Sequence, residues 1–337
     1  MKIYSIIIFL IVSINVLAQV GGKHTYEFVN LPNSAHAAAL GGKNITVFDN
    51  ELSFAYYNPA LLKSSMKKQL SLNYSDYFLN INYGYVGYMP DLNNNRNIAF
   101  GMMYINYGKF IEADYTGLIT GTFNASEYNA CVTWSLPIDS FFTIGVNAKG
   151  VFSFLDRYFS MGLMTDIGVN YYNSENLLSA SLVLKNIGFQ VVKYTKNRES
   201  LPFEIQYGLT KKLLHAPFRY SIMIQHLEQL KMDYEVTDAN TSIYGLSVQP
   251  SKGKRIFNNI LRHFIFGIEF MPMKTFYASF SYNFQRKQEL QLPSYISTVG
   301  LSWGFGLNLN RFNVGFARCN YSLAGSTNNF SFTFKFK

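Results

Sequence analysis

The sequence predicts an all-β protein, a transmembrane outer-membrane β-barrel of about 14 antiparallel strands with a short, partly helical N-terminal plug (residues 19–68). Three observations predict it. The last segment alternates Phe330, Phe332, Phe334 and Phe336 with Ser331, Thr333, Lys335 and Lys337, so one face of this closing strand suits lipid and the other a polar lumen. The same period-2 alternation recurs along the chain from Gln69 onward. Finally, the long connections between the alternating runs fall on one end of the strands. Outer-membrane barrels sort their loops this way, and a soluble sandwich, the rival reading of the last strand alone, has no cause to.

The composition fits a surface that faces lipid. Aromatic residues make up 17% of the 337 residues and charged residues only 15%, against roughly 25% charged in an average soluble protein. Lys2, the apolar run Ile3 to Leu17 and the small Ala18 read as a signal peptide over 1–18. No Cys follows it, so a lipoprotein anchor is not expected. The remainder lacks an apolar run of ~18 residues, so any crossing is by strands. Net charge is +9, which is compatible with anionic headgroups and equally with simple solubility. Cys131 and Cys319 sit on the Gly/Ser/Asn sides of their runs and read as unpaired small interior residues rather than a disulfide.

In the plug, Ser34 is an N-cap for Ala35 to Leu40, and Gly41-Gly42 stops that helix. Asn58 caps a second short helix with Pro59 at its first position. The low charge of 35–62 favours burial in the lumen over a surface extension along the periplasmic rim.

The barrel occupies 69–337. Its strands are expected near 69–78, 81–89, 96–106, 126–135, 140–152, 158–172, 177–186, 202–213, 217–227, 262–271, 273–284, 295–307, 311–321 and 328–336. Phe142, Ile144, Val146 and Ala148 oppose Thr143, Gly145, Asn147 and Lys149, and the apolar set goes to lipid. As a lumen residue, Asn147 is expected to accept Gln at little cost. Lys149, Asp166, Glu204, Arg219 and Glu269 face inward and read as an ionic network that holds the plug, in preference to catalytic groups. The glycines within Gly300 to Gly306 mark lumen positions of close approach.

The long connections, 107–125, 187–201 and 228–261, are the third, seventh and ninth, which places them on one rim, taken as external; both chain termini are then expected on the periplasmic side. The ninth mixes Lys231, Asp233, Glu235, Lys252, Lys254 and Arg255 with Tyr234 and Tyr244. That mixture suits a wet protein interface, and Lys231, Tyr234, Tyr244, Lys254 and Arg255 are its expected docking residues. The five histidines have no metal-ligand spacing and no G-x-S-x-G elbow is present, so no enzyme, metal or cofactor is expected.

The tripeptide Asn58-Pro59-Ala60 ahead of such strands resembles the hatch of the FadL-like outer-membrane transporters of long-chain fatty acids. A wider set, Thr25 to Pro32, Ala35 to Gly42, Asn58 to Leu62, Gly117 to Phe123, Leu201 to Phe203 and His215 to Arg219, resembles the PorQ family of PorV/FadL-like barrels in the Bacteroidetes type IX secretion system. This resemblance spans nearly the whole chain after the signal. It departs at His36, where the family usually carries Arg, which puts an ion pair there in question. The resemblance implies a non-enzymatic barrel that holds a PorZ-like surface protein, with PorU and PorV in the wider complex, for processing of cargo and its attachment to lipopolysaccharide. The alternative is a FadL-like transporter of hydrophobic small molecules such as fatty acids.

Overall fold

The computed structural model describes residues 24–92, 96–229, 231–232, 252–290, 298–322 and 325–337; the expected signal peptide lies outside them. The first half of the wall is β1 (Gln69–Asp76), β2 (Asn82–Met89), β3 (Asn97–Ala113), β4 (Ile119–Pro137), β5 (Phe142–Leu155), β6 (Tyr158–Asn173) and β7 (Leu178–Val192). The second half is β8 (Glu204–Lys212), β9 (Phe218–Ile224), β10 (Phe264–Met273), β11 (Phe276–Asn283), β12 (Leu301–Asn308), β13 (Phe312–Ser322) and β14 (Gly325–Lys335). Each strand pairs antiparallel with the next, and β14 pairs back onto β1, from Gln69 opposite Lys335 to Asp76 opposite Asn328. The barrel of 14 strands is therefore closed, with no free sheet edge.

The alternation resolves into an apolar outside and a polar inside. On β14, Phe330 is 49% exposed and Thr333 only 5%. Phe336 stands just past the strand, tied by its N–H to the Lys68 carbonyl at 2.9 Å. Val146, Ile268, Leu182 and Tyr207 look outward, while Asn147, Lys149, Glu204 and Glu269 are buried. No helix among the described residues is long and apolar enough to cross a membrane.

Sequence periodicity places most strands to within a few residues, and it fails where both faces of a strand are exposed. The stretch 107–125, expected as a loop, is mostly hairpin. β3 and β4 stay paired out to Ala113 opposite Ile119, and the connection shrinks to 114–118, where Asp114 Oδ1 accepts from the backbone N–H of Thr116 (2.8 Å) and Leu118 (3.0 Å). Beyond the bulge at Gly108 both faces of this hairpin are solvated, so nothing selects alternation. Likewise β7 continues to Val192 through a bulge at Lys185 and Asn186, which turns both side chains inward and shifts the phase that follows. In the ninth connection a helix, α2 (Lys252–Arg262), precedes β10, and in the eleventh a second, α3 (Phe284–Leu290), follows β11. The first α-helix of the described residues, α1 (Ala35–Ala39), lies inside the barrel.

Residues 24–68 fill the lumen. Ser34 caps α1, its Oγ accepting from Ala37 N–H at 3.1 Å. Gly41 and Gly42 follow with φ of +93° and +98°, a turn that favours glycine. Asn58 Oδ1 accepts from Ala60 N–H at 3.0 Å and caps a 3-10 turn at Pro59–Leu61. Phe54, Tyr57, Ile45 and Leu61 have essentially no exposure. Cys131 and Cys319 are free and buried; the Cys319 thiol donates to the Ala38 carbonyl at 3.2 Å.

The two ends of the described chain stand on opposite rims. His24 bridges to Ser200 in the seventh connection, whereas the Lys337 carbonyl accepts from Lys68 Nζ beside the β2 end of the other rim. The expected periplasmic N-terminus lies outside the described residues, of which the first, His24, stands on the rim of the seventh connection. The plug begins at the rim that bears the long connections and runs down through the lumen before β1 starts.

Candidate functional site

The plug meets the barrel through one close-packed seat and two ionic joints. The seat is made by Gly145 on β5 and Gly168 on β6, which face each other in register. A Cβ on Gly145 would reach 2.6 Å from the Pro59 carbonyl oxygen, and one on Gly168 would strike the Asn58 side chain. The Asn-Pro-Ala turn therefore lies directly on the wall, and Asn58 Nδ2 donates to the Ile45 carbonyl at 2.8 Å to hold it there. Gly304 plays a similar part under Ala39, but Gly300 instead makes the turn into β12, with φ +90°.

The first ionic joint lies near the rim of short connections. Arg219 and Glu269 are register partners on β9 and β10; the guanidinium donates to both carboxylate oxygens, at 2.6 and 2.9 Å. Arg219 also donates to Asp49 of the plug at 2.7 Å. His36 of α1 bridges Glu51 (2.8 Å from Nδ1) and Glu269 (2.7 Å from Nε2) and stacks on Tyr277, ring centroids 4.1 Å apart. Burial opposes the charged imidazolium, but Glu51 and Glu269 outweigh it and hold the His36 pKa up at about 10. At neutral pH the ring is a cation that donates from both nitrogens, so it supplies the charge in question at this position.

At the second joint Lys43 of the plug donates to both oxygens of Glu204, at 3.0 and 2.8 Å, with His226 Nε2 3.8 Å from the same carboxylate. The third cluster belongs to the wall. Lys149 and Asp166 pair at 2.6 Å, and Asp166 also accepts from the Asn186 N–H at 2.8 Å. Lys185 is fully buried beside them with no hydrogen-bond partner for its Nζ among the described residues. Its Nζ lies over the Tyr57 and Tyr56 rings of the plug, at 5.2 and 5.7 Å from their centroids.

The structure thus places Lys149, Asp166, Glu204, Arg219 and Glu269 in the lumen, in three clusters rather than one network. Sequence reading named His36 only as a doubtful ion-pair position and missed Lys43, Asp49, Glu51 and Lys185. The available signal was the charged trio Lys43, Asp49 and Glu51 within an otherwise uncharged segment. Of the expected docking residues, Lys231, Lys254 and Arg255 are exposed, while Tyr234 and Tyr244 lie outside the described residues.

Where the plug begins, a cleft of about 660 Å³ opens at the rim of long connections. Tyr26, Phe28, Tyr107, Leu155, Tyr158 and Tyr194 line it together with Glu27, Glu199 and Glu127, the last receiving the Tyr107 hydroxyl at 2.6 Å. Beneath it Tyr26 and Phe28 join a buried cluster with Tyr56, Tyr83, Tyr85, Met103 and Met164.

Among solved structures, the toluene transporter TodX of Pseudomonas putida superposes with a TM-score of 0.52 at 13% identity, over 90% of this chain and 97% of that one. The fold is the FadL-type barrel. The monoaromatic hydrocarbon channel CymD (TM-score 0.53, 10% identity) and a Pseudomonas aeruginosa FadL homologue (0.50, 10%) each cover 91% of this chain and 98% of their own. No protein-family model matches the sequence. No curated protein matches it either.

Proposed function

We propose that the protein is an outer-membrane channel for a hydrophobic small molecule, which enters at the aromatic cleft and passes inward beside the plug. The observation that carries this reading is the cleft of about 660 Å³ and its continuity with the Tyr/Met cluster below it. The aromatic lining offers surface to a small apolar ligand, while His24, Glu27, Glu127 and Glu199 supply the polar part of the wall. TodX and CymD, of the same fold, are a toluene transporter and a monoaromatic hydrocarbon channel, which supports this chemistry. Binding of toluene and of a fatty acid to the purified protein should be saturable. Leu155→Glu, which puts a charge into the cleft beside the β5–β6 turn, should abolish it while the barrel stays folded. Unchanged binding by that variant would remove the cleft from the account.

A second reading rests on a different observation. The β3–β4 hairpin carries Ile111, Tyr115, Leu118 and Ile119 at its outer end, all more than half exposed. An apolar tip on a stiff hairpin suits a protein partner. The sequence resemblance to the PorQ family would make that partner a PorZ-like surface protein, working with PorU and PorV to attach cargo to lipopolysaccharide. Replacing Tyr115, Leu118 and Ile119 by Ser should release a partner that co-purifies from native membranes; retention would refute the tip as its docking site. Neither reading asks for catalysis.

A further inference from the structure

The helix α2 is built inside out for a solvated position. Its sequence, Lys-Gly-Lys-Arg-Ile-Phe-Asn-Asn-Ile-Leu-Arg, puts Ile256, Phe257 and Ile260 on one side at α-helical spacing, with Arg255, Asn258, Asn259 and Arg262 on the other. A surface helix of a soluble protein packs by its apolar side. Here the polar side makes the contacts: Arg262 Nε donates to Gln288 of α3 at 2.6 Å, Gln288 Nε2 to the Asn258 carbonyl at 3.3 Å, and Met232 N–H to Asn259 at 2.7 Å. Ile256, Phe257 and Ile260 are left 62%, 61% and 50% exposed.

Two further observations say what covers them. One is continuity with the wall that faces lipid. α2 ends one residue before β10, whose first outward side chains, Phe264 and Phe266, are stacked with centroids 5.8 Å apart. Phe284 of α3 meets Phe266 and Tyr282 edge-on at 5.8 and 4.7 Å. These four rings form a patch where β10 begins and β11 ends, as the aromatic girdle of a barrel would at one rim. The other is charge. The helix holds Lys252, Lys254, Arg255 and Arg262 and no acidic residue, and Lys287 of α3 lies 5.5 Å over the Tyr282 ring.

We propose that α2 lies in the membrane leaflet at this rim, with Ile256, Phe257 and Ile260 among the acyl chains and the exposed Lys254 reaching phosphate-bearing lipid headgroups. An amphipathic helix with a basic polar side and a Phe/Ile apolar side partitions in this way. The helix would then hold the ninth connection down at the membrane surface and fix the depth of β10 and β11. A protein partner on the same face is disfavoured, because it would have to displace lipid from a surface continuous with the barrel band. The inference stands apart from the proposed channel and holds under either functional reading.

The test uses the whole protein reconstituted into vesicles. Cys131 and Cys319 are buried in the barrel, so single variants Ile256→Cys, Ile260→Cys and Arg255→Cys can each carry one environment-sensitive fluorophore. Brominated acyl chains should quench the label at 256 and 260 strongly and the label at 255 weakly. In the Ile256→Cys background, Lys254→Glu should weaken the preference for anionic over zwitterionic vesicles about fivefold or more. Equal quenching at all three positions, or none, overturns the proposal, as does quenching indifferent to headgroup charge. A label at 256 that is shielded only as protein concentration rises would assign the face to a second copy and overturn it as well.

Discussion

His36 Nε2 stands 2.7 Å from Glu269 Oε1, a contact between the plug helix and the tenth strand across 233 residues of sequence. Glu51, Glu269, Asp49 and Arg219 are the charged groups of this joint, and Tyr277 covers the ring. Because the folded pKa of His36, about 10, lies above its ordinary 6.5, the imidazolium contributes stability that is complete below about pH 6.5 and is lost as the pH rises through about 10. His36→Gln should therefore be less stable than the parent at pH 6, with the gap closing above pH 10. Denaturant unfolding of both proteins across that range measures it; a gap independent of pH would mean that His36 acts by packing alone.

The glycine seat predicts a graded response along one strand. Gly145→Ala or Gly168→Ala should cost about 1–3 kcal/mol, because the added methyl meets plug backbone or Asn58 and one of them must shift. Gly150→Ala, where the nearest atom is Phe152 Cε2 at 3.8 Å, should be neutral within about 0.5 kcal/mol. Thermal unfolding, together with protease access to 24–68, separates the two cases. Equal costs at 145 and 150 would detach the plug from this wall.

Outward positions should reject charge. Val146→Arg and Ile268→Arg should each destabilise the barrel in lipid by about 2–4 kcal/mol, read from refolding titrations. Asn147 is not the permissive control that its lumen side suggests: it is fully buried, accepts from Thr133 at 3.1 Å and donates to Asp166 at 3.3 Å. Gln there should cost about 1–3 kcal/mol from overpacking. A tolerated Arg at 146 would mean that no bilayer surrounds that position.

These contrasts show what could be read from sequence. Where a strand has lipid on one side and the plug on the other, as at Phe142 to Lys149, two different solvents select two residue sets and alternation is plain. Where both sides are wet, as at Lys109 to Ala113, or where a bulge changes phase, as at Lys185–Asn186, the signal disappears although the strand continues. The barrel half of the site was visible, since Arg219 and Glu269 are charges at inward positions of apolar strands. Its partners His36, Asp49 and Glu51 lie in a segment without period, and only the packed lumen brings them together.

Orientation is open to a labelling experiment. A tag inserted in 231–251 should be reachable on intact cells, while one in 214–216, within the short β8–β9 connection, should not. Equal access at both sites would reject the assignment of the long connections to the external side.

The most direct test of the channel is photolabelling with a diazirine analogue of toluene, followed by mapping of the modified residues. The account predicts saturable modification of Tyr107, Tyr158 and Tyr194 around the cleft, competed away by excess toluene. Modification confined to outward residues such as Phe330 and Phe332, unaffected by competitor, would show partition into the surrounding lipid and contradict a hydrophobic-ligand site in this barrel.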